Sequence, residues 1–370
     1  MLFVVELLML KMGSMKKTTF VPYTYEDKPL FGLDIGHGIV RVLQLQPSKQ
    51  KLRVVGYGEI TFDSSAMDNG VITKPEELAR AIQKLFKHSL VGDITTNRVA
   101  IALPISRAFT RSIELPTLSE KELAQTIDTE VEQYVPAAVE SLYVDYSSIQ
   151  TGKDKWATFI VAMPRRIVDS YITLCRLLGL ETIVIQTSSG ADANLFSLDS
   201  QSDLPSVLVN FGSESADITV FDKNPIVSGT AACGGEEITN LISEALDVTK
   251  REATIIKTKY GLGYSKKQKQ IEKALEPNLS VLLKEIQRSI RYYEERSKSK
   301  RKIAQIVITG GGANMPGLTD YLTNSLRMPV RAFDPTNFID FGNLQPISIG
   351  DRMSYVTVAG LSSIAPNEVF

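Results

Sequence analysis

Hydrophobic positions follow two rhythms along this chain. Short apolar stretches bounded by glycine or proline alternate with longer ones in which apolar residues recur every three or four positions. Phe31–Asp34 leads into the turn Gly36–Gly38 and reads as a buried strand, followed by strands at Val40–Leu45 and Leu52–Phe62. Thr73, Pro75 and Glu76 supply an N-cap, an early proline and a capping-box acid, with Leu78, Ile82 and Leu85 as the helical stripe behind them. Arg98–Leu103 and Phe109–Leu115 read as strands stopped by Pro104 and Pro116. Ser119 and Glu122 predict a second capping box, heading a helix with Leu123, Ile127, Val131 and Tyr134 on one face and ending before Pro136. Leu142–Ile149 and Trp156–Met163 are strands, and Ile167, Tyr171, Leu174 and Leu178 mark a helix closed by Gly179. The polar, turn-rich Ser197–Pro205 is the best domain boundary, after which strand signals restart at Val207–Phe211. Helices after nearly every group of strands predict an α/β chain.

Met1–Leu10, MLFVVELLML, is the most apolar run. It contains Glu6 and falls short of the roughly 20 residues a membrane-spanning helix needs. Lys11, Lys16 and Lys17 follow the apolar run instead of preceding it, which is the wrong order for a signal peptide. Two readings stand: an upstream start or frayed tail, with Met12 and Met15 as alternative starts, or a short anchor or partner-binding arm. The folded part is expected to be cytoplasmic. Hydrophobic residues at 43% and charged residues at 22% fit a globular protein, and 370 residues suit two or three domains. Lys+Arg 41 against Asp+Glu 42 gives a net charge of −1, which predicts no nucleic-acid partner. The basic run Arg296–Lys302 reads as the solvated last turn of a helix. Two cysteines and two histidines exclude a zinc finger, an iron–sulfur cluster or a disulfide scaffold, and fit a reducing compartment.

Candidate chemistry sits in glycine-rich turns. Phe31–Arg41, FGLDIGHGIVR, and Val207–Val220, VLVNFGSESADITV, share one pattern: an apolar strand, Asp or Asn, an apolar residue, Gly, a short polar turn and a returning strand. Such a turn lets backbone N–H groups converge on an anion, and an acid at the strand end can hold Mg²⁺ through water. Each turn taken alone also fits a plain hairpin. Ile306–Leu318, IVITGGGANMPGL, joins a strand to a triple glycine and then a helix, a place where a flat base can approach the main chain. Cys233-Gly234-Gly235-Glu236-Glu237 opens an apolar-periodic helix, whose N-terminus is a further candidate for an anion or ribose.

These four pieces, in this order, resemble the actin/Hsp70/sugar-kinase superfamily. The resemblance implies an actin-like, ribonuclease H-like α/β fold of two domains with a nucleotide cleft between them, with the two hairpins as phosphate loops and the triple glycine as the adenosine motif. VAIALP (Val99–Pro104), FTRSIELP (Phe109–Pro116), EVEQYVP (Glu130–Pro136), Tyr143–Tyr146, SIRYYEE (Ser289–Glu295) and ITGGGANMPGL (Ile308–Leu318) are similar to the type IV pilus assembly protein PilM family, relatives of the cell-division protein FtsA. That resemblance covers roughly residues 30–365. It implies an FtsA-type subdomain 1C at 93–178, subdomain 1A at 30–92, 179–202 and 350–370, a second domain (2A/2B) at 203–349, and a tail at 1–29. The chain ends AGLSSIAPNEVF without a basic amphipathic stretch, which favours PilM over FtsA.

The function implied is a cytoplasmic ATP-binding scaffold of the inner-membrane pilus platform. It carries the cytoplasmic N-terminal tail of a PilN-like membrane protein in a groove between 1A and 1C and meets the membrane only through that partner. Self-association is left open. An FtsA-like filament former and a small-molecule kinase of the superfamily are the alternatives. The expected nucleotide set is Asp34, Gly36, His37, Gly38, Arg41, Asn210, Gly212, Ser213, Gly234, Gly235, Lys257, Gly310, Gly311 and Gly312, with Mg²⁺ held through water by Asp34. Arg41 replaces the family's usual Lys, and His37 its Ser or Thr. For His37, a phosphate contact and plain turn filling are weighed evenly. Asn210 stands where the second loop normally has Asp and cannot act as a base, so hydrolysis is expected to be slow or absent. Asp217 lies later in that hairpin, displaced from the role. Thr254 occupies the place of an acid three residues before Lys257, and Lys257 reads equally as a nucleotide contact or a solvated lysine.

Overall fold

The computed structural model describes residues 3–4, 28–48, 51–296 and 301–364. The expectations for the N-terminal tail and for the middle of the basic run 296–302 therefore lie largely outside the described residues. The described chain divides into two compact units. One draws on residues up to Ser48, Arg53–Gly190 and the stretch from Leu361; the other on Lys49–Leu52 and Ala191–Gly360.

In the first unit, β1 (Phe31–Ile35), β2 (Ile39–Gln46) and β3 (Leu52–Thr61) form an antiparallel meander. Helix α1 (Pro75–His88) follows, then β4 (Arg98–Leu103), which pairs in parallel with β1. All six residues of β4 are buried, as a central strand covered on both faces requires. Next come β5 (Phe109–Leu115), α2 (Glu120–Tyr134), β6 (Leu142–Gly152), β7 (Lys155–Pro164), α3 (Arg165–Leu177) and β8 (Glu181–Thr187). The large sheet runs β8-β4-β1-β2-β3, with Phe3–Val4 antiparallel to β8 on its outer side. Leu78, Ile82 and Leu85 of α1 share a core with Ile167, Tyr171 and Leu174 of α3. A smaller sheet, β6-β7-β5, has its own core with α2, built from Ile127, Val131, Leu142, Ile160 and Ala162.

Ser119 and Glu122 form the capping box expected at α2. At α1 the sequence reading needs correction: the N-cap is Lys74, without a side-chain cap. Thr73 is held by the preceding turn instead, its N–H and Oγ1 both donating to the Ala66 carbonyl at 2.9 and 3.1 Å.

Helix α4 (Ser188–Phe196) follows β8. The second unit then builds a sheet from β9 (Ser206–Phe211), β10 (Ala216–Asp222), β11 (Asn224–Ala231), β12 (Gln305–Thr309) and β13 (Val330–Ala332), in the order β11-β10-β9-β12-β13. β9 and β10 are the expected hairpin, and β12 joins β9 in parallel. Its helices are α5 (Gly235–Leu246), α6 (Lys250–Lys259), α7 (Gln268–Arg296), α8 (Leu318–Leu326) and α9 (Val356–Ser362). Ile271, Leu275, Leu279, Leu282 and Ile286 of α7 recur at helical spacing, and that face is buried in the unit's core.

Candidate nucleotide site

Three of the four glycine clusters meet inside the second unit. The turn after β9 folds back on itself, with the Gly212 N–H donating to the Ser215 carbonyl at 2.9 Å. Its outer carbonyls accept from the first turn of α5: Gly235 N–H to Gly212 O at 3.0 Å and Glu236 N–H to Ser213 O at 2.9 Å. Gly234 lies so close that a Cβ there would come within 2.1 Å of the Ser213 carbonyl oxygen. The third cluster closes from β12. Gly310 has φ +80°, and a Cβ on it would meet Asn210 Oδ1 at 2.5 Å; one on Gly312 would meet the Phe211 ring at 1.9 Å.

These contacts change what the glycines are for. Gly234, Gly310 and Gly312 admit neighbouring protein main chain and side chains. Of the triple glycine, Gly311 has the most open space beside it: an added Cβ meets nothing nearer than Ser354 Oγ at 3.4 Å. At the α5 N-terminus, the second loop takes the N–H groups of Gly235 and Glu236.

Lys257 supplies a cation at that corner. From α6, its Nζ donates to the Gly235 carbonyl at 2.7 Å and to Thr239 Oγ1 at 2.8 Å, which leaves one of three ammonium protons. Burial lowers its pKa from the usual lysine range, partly opposed by the Glu236 charge. Thr254 turns back onto its own helix, donating to the Lys250 carbonyl. Asp217 stands opposite Asn210 in the β9–β10 register and accepts from Thr230 in the neighbouring strand at 3.0 Å.

Asn210 is held by residues the sequence did not flag. Its Nδ2 donates to Asp192 Oδ2 at 2.8 Å and to Thr357 Oγ1 at 3.2 Å. Asp192 also accepts from Thr309 Oγ1 at 3.0 Å and Thr357 Oγ1 at 2.7 Å. The one available signal was an acid inside the apolar run Ala191–Phe196.

The first loop lies in the other unit. Asp34, Arg41 and Glu59 stand opposite one another across β1, β2 and β3, and cross-strand partners share a sheet face. Arg41 Nε pairs with Glu59 Oε2 at 3.0 Å. Burial raises the Asp34 pKa, with the Arg41 charge opposing. Gly36 N–H closes the turn on the Ile39 carbonyl at 2.9 Å, Gly38 has φ +82°, and His37 is exposed at the tip. The Tyr171 hydroxyl is buried without a hydrogen-bond partner among the described residues, and the Asp34 charge is one of the influences that raise its pKa. No cluster of three or more His, Cys, Asp or Glu side chains that could hold a metal occurs among the described residues. A single carboxylate near an orphaned hydroxyl fits Mg²⁺ bound mainly through water and phosphate, since that ion takes few protein ligands.

The smaller sheet carries a different kind of site. A cleft of about 320 Å³ opens between β5 and α2, with Phe109, Tyr134 and Ile160 in its lining. The Arg111 guanidinium lies 3.1 Å from the Tyr134 ring centroid, and its Nε is 3.3 Å from Glu130 Oε2.

The fold and the paired strand–turn–strand loops define the class: an actin-like α/β protein. MreB5 of Spiroplasma citri bound to AMPPNP matches with a TM-score of 0.52 at 12% identity, over 90% of this chain and 95% of that one. The chain belongs to the type IV pilus assembly protein PilM family, whose profile it matches over residues 32–362. The PilM–PilN type IV pilus biogenesis complex matches with a TM-score of 0.76 at 19% identity, over 90% of this chain and 98% of that one. Cell division protein FtsA of Enterococcus faecalis is 21% identical over 350 residues, 83% of this chain and 78% of that protein.

Proposed function

We propose that the chain is a cytoplasmic scaffold of the type IV pilus inner-membrane platform, which binds ATP with Mg²⁺ and carries the N-terminal tail of a PilN-like membrane protein. The observation that carries the nucleotide half is the meeting of the second loop, the start of α5, Lys257 and the glycine turn in one unit. In this reading Lys257 offers its remaining proton to a phosphate, Gly311 lies against the base or ribose, and Gly212 and Ser213 shape the second phosphate loop. Gly36, His37, Gly38 and Arg41 form the first loop, and Asp34 holds the hydrated Mg²⁺. Bound Mg²⁺ supplies charge neutralisation for the phosphates.

Turnover is slow in this account. Asn210 cannot accept a proton from water at neutral pH, and its amide is engaged by Asp192 and Thr357. ATP then acts as a structural ligand; at about 100 times its Kd it adds about 2.7 kcal/mol of stability.

For the partner, the tail lies in a groove between subdomains 1A and 1C. The cleft beside Phe109 and Tyr134 lies wholly within 1C and supports only the 1C side of this reading: it offers an apolar landing site on the β5 edge, with Arg111 at its rim. No described helix is long and apolar enough to cross a membrane, which suits attachment through a partner. Titrating a PilN-like tail peptide into the protein, with and without Mg-ATP, tests the whole reading. Saturable peptide binding with negligible ATP turnover is expected. Rapid turnover without peptide affinity contradicts it, and nucleotide-dependent pelleting of the chain alone favours a filament former.

A further inference from the structure

We propose that Asp192 is the positioning acid of the second loop: its buried carboxylate fixes the Asn210 amide, and the two positions together tolerate one negative charge. Asp192 is 2% exposed, and three side chains from three elements donate to it: Asn210 of β9, Thr309 of β12 and Thr357 of α9. All three are uncharged.

The protons of these three donors can be assigned. Asn210 has two amide hydrogens; one goes to Asp192 and one to Thr357. Thr357 and Thr309 each have a single hydroxyl hydrogen; that of Thr357 goes to Asp192, and that of Thr309 goes to Asp192 at 3.0 Å, closer than its alternative acceptor, the Val209 carbonyl at 3.5 Å. An ionised carboxylate accepts all three bonds, as a buried charge requires. The same inventory sets the direction of Asn210. Were its amide turned over, Oδ1 would face a carboxylate oxygen at hydrogen-bond distance with no proton between them. The amide nitrogen therefore faces Asp192, and Oδ1 points to the Gly310 turn, where only a glycine leaves it room.

An acid at position 210 would place a second carboxylate beside the first. Two carboxylates that close cannot both ionise and must share a proton. Asparagine at 210 is thus the complement of an acid held at 192. This account of the second loop stands whether or not a nucleotide binds there.

The test is a square of variants in the full chain: N210D, D192N and N210D/D192N, each melted at pH 5 and pH 8 without nucleotide. N210D is expected to melt below wild type, with a larger deficit at pH 8 than at pH 5. The shared proton raises the pair's folded-state pKa, so stability is lost as pH rises. D192N is expected to melt lower than wild type by a similar amount at both pH values. The double variant has one carboxylate again, with the amide now on the α4 side as donor, and is expected to recover most of the N210D deficit and to lose its pH dependence. If N210D alone does not fold, recovery of folded protein in the double variant supports the proposal. N210D melting with wild type at both pH values overturns it, as does a double variant no better than the worse single.

Discussion

At Asp34, burial and charge pull in opposite directions, and burial wins. Its folded pKa lies above the unfolded value of about 3.9, so the folded state keeps its proton longer. Stability without ligand should therefore fall as pH rises from about 4 through the folded pKa, and Asp34→Asn should flatten that slope in denaturant titrations. An added Mg-nucleotide, which requires the ionised acid, should stabilise wild type most near neutral pH and Asp34→Asn least. Lys257→Ala should weaken Mg-ATP binding about tenfold, or about 1.4 kcal/mol, in a fluorescence titration. Unchanged affinity would return Lys257 to the structural role of tying α6 to Gly235 and Thr239. Asp34 and Lys257 could be named from sequence because each lies within or just behind a local motif. Asp192, Thr309 and Thr357 could not: Asp192 and Thr357 are separated by 165 positions, and only the packed fold brings them together.

The elements show why a triple glycine is ambiguous in sequence. Gly310 and Gly312 press against Asn210 and Phe211 of β9, so an alanine at either must displace buried protein. Gly312→Ala should cost about 1–3 kcal/mol in denaturant unfolding. Gly311→Ala, with no atom nearer than 3.4 Å to the new Cβ, should unfold close to wild type while weakening nucleotide binding. The reverse pattern, a stability loss at Gly311 and none at Gly312, would contradict the placement. Sequence rules worked where the determinants are local. The Ser119–Glu122 capping box and the β9–β10 hairpin fall where periodicity and turn residues put them. They failed at Thr73, whose cap-like identity is spent on Ala66, a contact set by the turn before it.

For the molecule as a whole, the account joins a nucleotide that is held to a peptide that is carried. Arg111 and Tyr134 stand at the rim of the cleft beside β5, where truncation leaves the Ile127–Val131 core of α2 in place. Tyr134→Ala should weaken tail-peptide binding about fivefold, roughly 1 kcal/mol, without lowering the melting temperature. Loss of folding together with binding would instead make the ring a packing element. Actin-like architecture was legible from the order of its loops, because each loop carries its own glycines. The cleft beside β5 was not, because Phe109 and Tyr134 also fit apolar stripes that pack inward. The most direct measurement is calorimetry of the full chain with Mg-ATP. A saturable one-to-one heat, weakened in both Lys257→Ala and Gly311→Ala, is the predicted result; no heat from wild type would contradict the account.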